Sequence, residues 1–558
     1  MSRVRQDADP QSGGAIGLLR DSVQRNKRRD ALIASGSRAS YGEMFRTVMH
    51  VASMLAVPEP PQSVLVSVSA SPAYVYAFLG ALATGRLVHS LDPSLGPEAI
   101  SAIANSSPDA VRICDDGSKL LLLTGSDVVI VDLADGRSQR APDEAFENAV
   151  KSGAGAVFYT SGTTGAPKGV QLSDATLVSA CLRMSRLQQE FFGGRPVETA
   201  SRMARLVATE GLKLRHAVGH QTWLTSFGLW SIAGHTVMMN ALASGHRLVL
   251  CDSRHPRDLL SAISEHHVNV FATSPFMAEL ALRLPEFSKY DLSSLVMVGL
   301  GGAPVRPELA LEIRERFRCP VAIGYGSTEF AGGVTVGRIH DTLQIQTSTV
   351  GRPFPGVNMR IRGDDGEDVP VGHVGHIVCS LAEEGNGSEV ARVHGWRDSG
   401  DLGWMDGQGN LTVVGRADDI VVRGGRKVAP VRVESALMGH RGVLAAAVVG
   451  VPAPLVGEEL WAFVVASPEH SLTARDLIGH CRALLAGFEV PDHVEIVSAL
   501  PQNSAGEVRR AELRQYAIRQ QSALRGGADP SHTKLGTIAE FGGRQRRDGD
   551  TSISQPSK

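Results

Sequence analysis

The chain has 558 residues, of which 43% are hydrophobic and 20% are charged, and its formal net charge is −2. A single hydrophobic core stops growing at about 250–300 residues, so this length predicts more than one domain. The small net charge gives no broad electrostatic footprint for nucleic acid, so no nucleic-acid partner is expected, although local basic clusters could hold a polyanionic small molecule.

The first part of the chain alternates between strand and helix patterns. Its polar start, MSRVRQDADPQSGG, lacks the apolar run of a signal peptide. The order strand, helix, strand recurs in SVLVSVSA (63–70), PAYVYAFLGALATG (72–85), HRLVLCD (246–252), DLLSAISEHH (258–267) and VNVFATSP (268–275). From about residue 31 to 350 this alternation predicts a large amino-terminal domain of doubly wound α/β sheets.

Beyond residue 350 the pattern changes. Residues 351–414 show short strand patterns separated by Gly and Asp turns, which predict a β-rich subdomain. Two strand patterns, VLAAAVVGVP and LWAFVVAS, and one helix pattern, ARDLIGHCRALLA, then predict a small α+β domain. We therefore predict a large domain at 1–416, a small carboxy-terminal domain at 417–523 and a polar, disordered tail at 524–558.

Cysteine usage and hydropathy exclude several further classes of protein. The six cysteines are scattered, without a CxxC pair or a Cys/His ligand spacing, which argues against a disulfide framework and a zinc site. No run of about 18 apolar residues occurs, so neither a membrane span nor a membrane partner is predicted. A cytoplasmic location is the resulting expectation.

The strongest chemical signal is AVFYTSGTTGAPKGVQLS, residues 156–173. An apolar strand runs into a loop whose glycines let backbone N–H groups approach an anion, and whose hydroxyls and lysine add donors and charge. The positions expected to hold a phosphate are Thr160, Ser161, Gly162, Thr163, Thr164, Gly165 and Lys168. The loop lacks GxxxxGK[ST], so it is not a Walker A loop. A flexible linker, the alternative, would need neither the preceding strand nor the lysine.

The stretch YTSGTTGAPKG resembles the phosphate loop of the adenylate-forming superfamily, which contains acyl-CoA synthetases, luciferases and peptide-synthetase adenylation domains. Further segments follow in the order of that superfamily, over roughly residues 31–523. GGAPV resembles the segment that packs on adenine, which assigns Gly301, Gly302, Ala303 and Pro304 to the nucleotide site. VGRPFPG (350–356) also matches.

GYGSTE, residues 324–329, resembles the aromatic–Gly–x–Thr–Glu signature of the superfamily. The resemblance implies that Tyr325 stacks on adenine, that Gly326 and Thr328 lie at the nucleotide and its phosphate, and that Glu329 helps to hold Mg²⁺. Tyr325 could instead be a core aromatic, and Glu329 taken alone would be an ordinary surface carboxylate. Together with Lys168, Glu329 is a predicted catalytic position.

Two segments near the domain boundary complete the resemblance. In WRDSGDLGWMDGQGNLTVVGRADD (396–419), Asp401 resembles the carboxylate that takes both ribose hydroxyls and Arg416 the arginine beside it. In VRGGRKVAPVRVE, Gly424 and Gly425 resemble the glycine loop that opens a small, mobile domain. The superfamily rotates this domain between making an acyl-adenylate from ATP and passing the acyl group to a thiol. Asp418 falls at its hinge position, although it could also be a capping residue.

The sequence departs from the superfamily at two places. In TWLTSFGLW (222–230), Thr225 stands where a histidine is usual, so the acyl pocket and its gate are expected to be unusual. His220 and His235, nearby, are expected to line or support that pocket rather than to catalyse. In PQNSAGEVRRAEL (501–513), Glu507 stands where the superfamily has a lysine that reaches the substrate carboxylate and the α-phosphate during adenylation.

These observations predict an acyl-CoA ligase-like enzyme whose adenylating half is impaired or lost. It would take an acyl-adenylate made by a separate adenylating enzyme, transfer the acyl group to coenzyme A and release AMP, with ATP and Mg²⁺ needed only if adenylation survives. Three alternatives stay open. They are a complete ATP-dependent acid–CoA ligase that uses Lys427 or Lys168, an acyl-adenylate-dependent amide synthetase, and a pseudoenzyme that binds nucleotide or acyl group as a sensor.

Overall fold

The computed structural model describes residues 14–526 except 35, 56–62, 108–109, 116–118, 125–126, 133–154, 162–166, 193–198, 202–203, 205–206, 208–210, 212–218, 254, 382–391, 394, 468–469 and 502–507. By their internal contacts these residues form two compact units, the larger ending at Ile420 and the smaller beginning at Val421. The predicted fold class, α/β with a large amino-terminal and a small carboxy-terminal domain, is confirmed. The boundary predicted at 416/417 stays a prediction.

Sixteen strands of the larger unit, within its described residues, form two extended sheets. They are β1 (Asp30–Ala34), β2 (Ser37–Ser40), β3 (Ser63–Ser67), β4 (Leu87–Ser90), β5 (Val111–Asp115), β6 (Lys119–Thr124), β7 (Asp127–Asp132), β8 (Gly155–Ser161), β9 (Pro167–Ser173), β10 (Thr222–Thr225), β11 (Arg247–Val249), β12 (Val270–Thr273), β13 (Met297–Leu300), β14 (Val321–Ser327), β15 (Gly332–Val336) and β16 (Arg352–Pro353). One sheet has the order β7-β6-β5-β3-β4-β8-β9 and the other β16-β15-β14-β13-β12-β10-β11-β1-β2. Both have parallel centres and antiparallel edges, as alternating strands and helices predict.

Ten helices, described over their full length in this unit, pack on the two sheets. They are α1 (Gly14–Asn26), α2 (Tyr41–Leu55), α3 (Pro72–Ala83), α4 (Pro97–Asn105), α5 (Asp174–Phe192), α6 (Ile232–Ala243), α7 (Pro256–His266), α8 (Pro275–Leu282), α9 (Pro307–Phe317) and α10 (Leu343–Ser348). Helix α3 is apolar all round and buried over residues 73–83, as expected for a helix inside the core. A Cβ on Gly80 would lie 2.7 Å from the Val51 side chain, so this glycine lets α3 pack closely on α2.

A smaller antiparallel sheet follows at residues 357–416, as the Gly and Asp turns predict. Its strands are β17 (Val357–Arg362), β18 (Gly375–Leu381), β19 (Arg392–Val393), β20 (Trp396–Met405) and β21 (Leu411–Arg416), in the order β17-β18-β20-β19 with β21 also paired to β20. A separate core cluster connects this sheet to Phe330 and Val334. The β-rich subdomain therefore packs directly on the end of β14 and β15.

The small unit is a mixed sheet flanked by helices. It contains β22 (Val421–Arg423), β23 (Arg426–Val428), α11 (Pro430–Met438), β24 (Val443–Ala453), β25 (Gly457–Ala466), α12 (Ala474–Leu484), β26 (His493–Val497) and α13 (Arg510–Gly526). One core cluster packs α11 and α12 on the sheet, and a second packs α13 on β24 and β25. Helix α13 continues three residues into the predicted tail, whose remainder, 527–558, lies outside the described residues.

Two general findings concern the described chain as a whole. The six cysteines, all among the described residues, form no disulfide, and Cys181, Cys319, Cys379 and Cys481 are buried. Among the helices that the structure describes, none combines the length and apolarity that crossing a bilayer requires.

Candidate active site

The predicted phosphate segment is a strand pair. Strands β8 and β9 run antiparallel, with Thr160 opposite Lys168 and Ser161 opposite Pro167. The Thr160 hydroxyl donates to the Lys168 carbonyl at 3.4 Å, and the Lys168 side chain is exposed. The loop that these strands bracket, with Gly162, Thr163, Thr164 and Gly165, lies outside the described residues. The roles assigned to this segment stay predictions.

The Glu329 turn, residues 328–330, joins β14 to β15. Thr328–Phe330 forms one turn of 3-10 helix, and the Phe330 side chain is 1% exposed in the core of the β-rich subdomain. Gly326 and Gly332 make the tight return possible, because a Cβ on Gly326 would lie 2.0 Å from the Gly332 carbonyl and Gly332 has φ +101°. Burial of Phe330 thus fixes the turn, while Thr328 and Glu329 remain partly exposed beside it.

The segment predicted to pack on adenine follows β13, next to β14 in the sheet. Strands β13 and β14 are parallel, with Leu300 opposite Ile323, so Gly301 and Tyr325 emerge at the same edge. Gly302 has φ +77°, and a Cβ there would lie 3.4 Å from the Phe227 ring. Gly302, Ala303 and Pro304 are exposed at this edge. The structure therefore brings the GGAPV and GYGSTE segments together.

Tyr325 and Asp401 form a direct hydrogen bond. The Tyr325 hydroxyl donates to Asp401 Oδ2 at 2.6 Å, and Arg416 Nε lies 3.6 Å from Asp401 Oδ1 across the β20–β21 pair. Burial raises the pKa of Asp401, while the Tyr325 hydrogen bond and the Arg416 charge oppose that rise. Burial, with Asp401 alongside, also raises the pKa of Tyr325, so the phenol stays protonated. Each Asp401 oxygen keeps lone pairs for a further donor such as a hydroxyl.

Thr225 and His235 are buried, and His220 is partly buried. Thr225 is 6% exposed, and its hydroxyl accepts from the Phe227 N–H at 3.1 Å. His235 lies between Phe78 and Phe158, with ring centroids 4.9 and 5.0 Å away, and burial lowers its pKa to about 3. Burial also lowers the pKa of His220, whose Nδ1 contacts the Gly245 carbonyl. Neutral, packed imidazoles at these two positions favour a supporting role over proton transfer.

In the small unit, Gly424 and Gly425 form the two-residue turn between β22 and β23. Their φ values, +56° and +75°, are those of a hairpin turn that favours glycine at both positions. The preceding Arg423 donates to the Phe488 and Val490 carbonyls at 3.1 and 2.8 Å. Arg423 is therefore held by hydrogen bonds within the small unit.

Glu507 lies outside the described residues, but the residues on either side of 502–507 are described. The Arg509 N–H donates to the Pro501 carbonyl at 2.8 Å, which closes the segment 502–507 at its base. The predicted hinge residue, Asp418, is exposed in a turn of 3-10 helix, Ala417–Asp419, just before the unit boundary. The structure tests neither assignment, so both stay predictions.

Two buried arginines near Glu329 were missed from the sequence. Arg183, on α5, and Arg397, on β20, are each 4% exposed and donate to backbone carbonyls of the segment 329–333. A signal for Arg183 existed, because it follows Leu177 and Ala180 at helical spacing on the apolar face of α5. Arg397 has no comparable signal, since an arginine within WRDSGD is compatible with an exposed strand position.

The Mg²⁺ prediction can be compared with the carboxylates present. Among the described residues no group of three His, Cys, Asp or Glu side chains could hold a metal ion by itself. Mg²⁺ commonly takes one or two protein carboxylates and completes its shell with substrate phosphates and water. A single partly exposed Glu329 fits that pattern and does not fit a permanent all-protein metal site.

Comparison with known proteins gives matches across both units. Residues 19–383 match the family described as "AMP-binding enzyme", and residues 432–507 match "AMP-binding enzyme C-terminal domain". Feruloyl-CoA synthases of Amycolatopsis sp and Streptomyces sp are each 32% identical over 503 residues, which cover 86% of this chain and 94% of the relative.

Solved structures with the same fold include two enzymes that differ in their activities. An anthranilate CoA ligase, AuaEII, in complex with anthranoyl-AMP has a TM-score of 0.73 at 20% identity, over 92% of this chain and 99% of that one. The amide bond synthetase McbA from Marinactinospora thermotolerans, as a K483A mutant, has a TM-score of 0.70 at 24% identity, over 90% of this chain and 100% of that one. At these identities the likeness is one of fold.

Proposed function

Because the chain belongs to the AMP-binding enzyme family, we propose that it transfers an acyl group from an acyl-adenylate to coenzyme A. The observation that carries this proposal is the Tyr325–Asp401 pair, with its hydrogen bond of 2.6 Å, at the edge where the GGAPV segment and the Glu329 turn also emerge. An aromatic ring, a carboxylate with free lone pairs and exposed glycine backbone suit a nucleoside monophosphate.

The transfer requires no protein nucleophile. The sulfur of the coenzyme A thiol attacks the acyl carbon of the mixed anhydride, a C–S bond forms, and the C–O bond to the phosphate breaks. AMP leaves with the electron pair, and the thiol proton passes to solvent. In this proposal Asp401 holds the ribose, Thr160, Lys168 and Glu329 lie at the phosphate, and Gly424–Gly425 contact the thiol arm.

We propose further that Glu507 impairs the adenylating half of the reaction. A cation at this position would stabilise the charge that develops during adenylation, and loss of one such donor costs on the order of 10²–10³ in rate. A glutamate also reverses the sign of the interaction. For charges at about 4 Å and an effective dielectric of about 20, the interaction amounts to roughly 4 kcal/mol, so attraction becomes repulsion of similar size.

By the absence of the usual lysine at position 507, the chain resembles the non-adenylating acyl-CoA ligase of platensimycin and platencin biosynthesis. Under this proposal a separate adenylating enzyme supplies the acyl-adenylate. ATP and Mg²⁺ are then not required, and Glu329 would contribute only to holding AMP. The retained residues Lys168, Asp401 and Arg416 favour an active enzyme over a pseudoenzyme.

A second candidate is a complete ATP-dependent acid–CoA ligase. The observation that favours it is the 32% identity to feruloyl-CoA synthases over 86% of this chain. In that case another lysine would supply the missing cation. Lys168 and Lys427 are both exposed and are the candidates. An amide synthetase would share the adenylate site and differ in its acceptor.

The experiment that separates these functions supplies the purified protein with two sets of substrates. One set is an acid, Mg–ATP and coenzyme A; the other is the matching synthetic acyl-AMP and coenzyme A. Ferulate, anthranilate and a long-chain fatty acid are suitable probes. Thioester from acyl-AMP alone supports the first proposal, and efficient thioester from acid plus ATP supports the complete ligase. Amide formed with an amine, without thioester, would favour the synthetase.

A further inference from the structure

Two buried arginines hold the backbone of the Glu329 turn. Arg397 Nη1 donates to the Glu329 carbonyl at 2.9 Å. Arg183 Nη1 donates to the Phe330 carbonyl at 3.0 Å and to the Gly333 carbonyl at 2.8 Å. Both side chains are 4% exposed. Three carbonyls within five residues are thus bonded to guanidinium groups from two other elements.

The two arginines connect the turn to two different parts of the nucleotide site. Arg183 lies on α5, which begins at Asp174, directly after the strand β9 that carries Lys168. Strand β9 itself lies against the turn. Arg397 lies on β20, four residues before Asp401 on the same strand. The phosphate segment, the Glu329 turn and the ribose carboxylate are therefore joined through two side chains.

The chemistry of these contacts suits positioning. A guanidinium is planar and permanently charged, with donors in a fixed fork, so a bonded carbonyl is held in direction as well as distance. Hydrogen bonds from charged donors are roughly twice as strong as neutral ones. Arg397 donates to the main-chain carbonyl of Glu329, so this contact fixes the position of the Glu329 backbone. The contact does not use the Glu329 carboxylate, which can still bind a ligand.

We propose that Arg183 and Arg397 are positioning residues that set the register of Glu329 relative to the phosphate strand and the ribose carboxylate. This inference rests on the proposed function, since it assigns these arginines to the acyl-transfer site. It adds two residues that act on the reaction without touching substrate.

The first test measures acyl transfer from feruloyl-AMP to coenzyme A in Arg397→Met and Arg183→Met. A misplacement of about 1 Å near a reacting centre can cost up to about 10²-fold, so we expect kcat to fall by roughly 10–100-fold. Arg397→Lys and Arg183→Lys keep the charge and a donor, and should recover most of that loss. Equal losses in the Lys and Met variants would contradict the proposal.

A double-mutant cycle with Glu329→Gln separates positioning from general destabilisation. If the arginines act through Glu329, each Met substitution should lower kcat by less than about twofold when Glu329 has already been replaced by Gln. The reason is that the effects of coupled residues are not additive. Multiplicative losses would overturn the proposal. Arg338→Met is the matched control, since Arg338 is 5% exposed and also donates to backbone carbonyls, those of Val336, Arg352 and Pro353.

Hydrogen exchange provides a readout that does not depend on activity. Arg397→Met and Arg183→Met should accelerate exchange in the peptide spanning residues 324–336, whereas uniform acceleration across the larger unit would contradict positioning. If the wild-type protein forms no thioester from any substrate set, the proposed function fails. The exchange result then still decides whether these arginines fix the turn.

Discussion

At the scale of single residues, burial and the Tyr325–Asp401 hydrogen bond act in opposite directions on the pKa of the candidate ribose carboxylate. Asp401 is 13% exposed in its side chain, and its burial raises its pKa. The Tyr325 hydroxyl and the Arg416 guanidinium favour the ionised form and limit that rise. One neutral donor and one cation thus oppose the protonation that burial favours.

Substituting Tyr325→Phe should shift the pH dependence of AMP binding. As pH falls through the folded-state pKa of Asp401, the carboxyl protonates and loses an acceptor for the ribose hydroxyls, so AMP affinity falls. Removing the Tyr325 hydroxyl raises that pKa further, so the acidic decline should begin at a higher pH. Calorimetric AMP titrations between pH 4.5 and 8 measure this, with Tyr290→Phe as the control. An unchanged acidic decline would contradict the assigned pair.

Substituting Glu507→Lys should raise the rate of adenylation, measured as acid-dependent exchange of pyrophosphate into ATP. Restoring a cation reverses the sign of the interaction, so a gain on the order of 10²-fold is expected. Thioester formation from acyl-AMP should be little changed. Glu512→Lys makes the same charge change at an exposed position beside Arg509 and serves as the control. If neither half-reaction responds to Glu507→Lys, Glu507 is not at the site.

The roles assigned to single residues stay predictions, but the sequence does carry information on local conformation and on strand pairing. Gly424 and Gly425 occupy a turn that requires positive φ, and Asp401 lies opposite Arg416 across a strand pair. Arg183 left a signal in the helical spacing of α5, but its partner carbonyls depend on packing against a turn far away in the chain, and so does the burial of Arg397. Burial of a charge is decided by tertiary contacts, which a local pattern does not contain.

At the scale of elements, a partly buried ion pair adds to the apolar packing that holds helix α13. Arg510 Nη2 donates to Glu434 Oε2 at 3.0 Å, and Arg510 Nη1 donates to the Val448 carbonyl at 2.9 Å. Glu434, whose side chain is 7% exposed, also accepts from the Val448 N–H at 2.7 Å. These contacts connect α13, α11 and β24 at the base of the loop that carries Glu507.

Substituting Arg510→Met should destabilise the small unit by about 3–5 kcal/mol, because Glu434 would remain buried without its cation. Calorimetric unfolding measures the effect. The neighbouring Arg509 pairs with Glu512 at the surface, where both side chains are nearly half exposed, so Arg509→Met should cost under about 1 kcal/mol. Equal effects for the two variants would show that the buried pair does not anchor α13.

Element prediction succeeded where hydrophobic periodicity was strong and was less accurate at element ends. The strand predicted at 63–70 ends at Ser67, because the chain must turn before Ser71, the N-cap of α3. The helix predicted from residue 258 begins at Pro256, since proline suits the first helical position. Such ends are fixed by capping and turn geometry, to which apolar spacing is insensitive.

At the scale of the whole molecule, the larger unit ends at Ile420, directly after the turn that contains Asp418. The sequence predicted two domains from a change in strand and helix patterning, and the fold confirms a large and a small domain. The exact boundary and the hinge are harder to predict, because a hinge requires backbone freedom at one position rather than any particular residue type.

Substituting Asp418→Pro should slow thioester formation by about tenfold or more, which corresponds to at least ~1.4 kcal/mol. Proline fixes φ near −65° and so removes the backbone freedom that a hinge needs. AMP affinity, measured by calorimetry, should change by less than about twofold. Asp418→Ala keeps the backbone free and should behave like wild type. A Pro variant with unchanged thioester formation would exclude Asp418 as the hinge.

The buried cysteines, which form no disulfide, allow the opening of each unit to be followed chemically. Cys481 is the only cysteine after residue 420, and it lies in the core of the small unit with its pKa raised by burial to about 11. Cys319 and Cys379 are buried in the larger unit. A thiol reagent reacts with the thiolate and requires access, so modification of each cysteine follows the opening of its surroundings. Alkylation detected by mass spectrometry can therefore follow the unfolding of each unit separately, and no substitution has to be introduced.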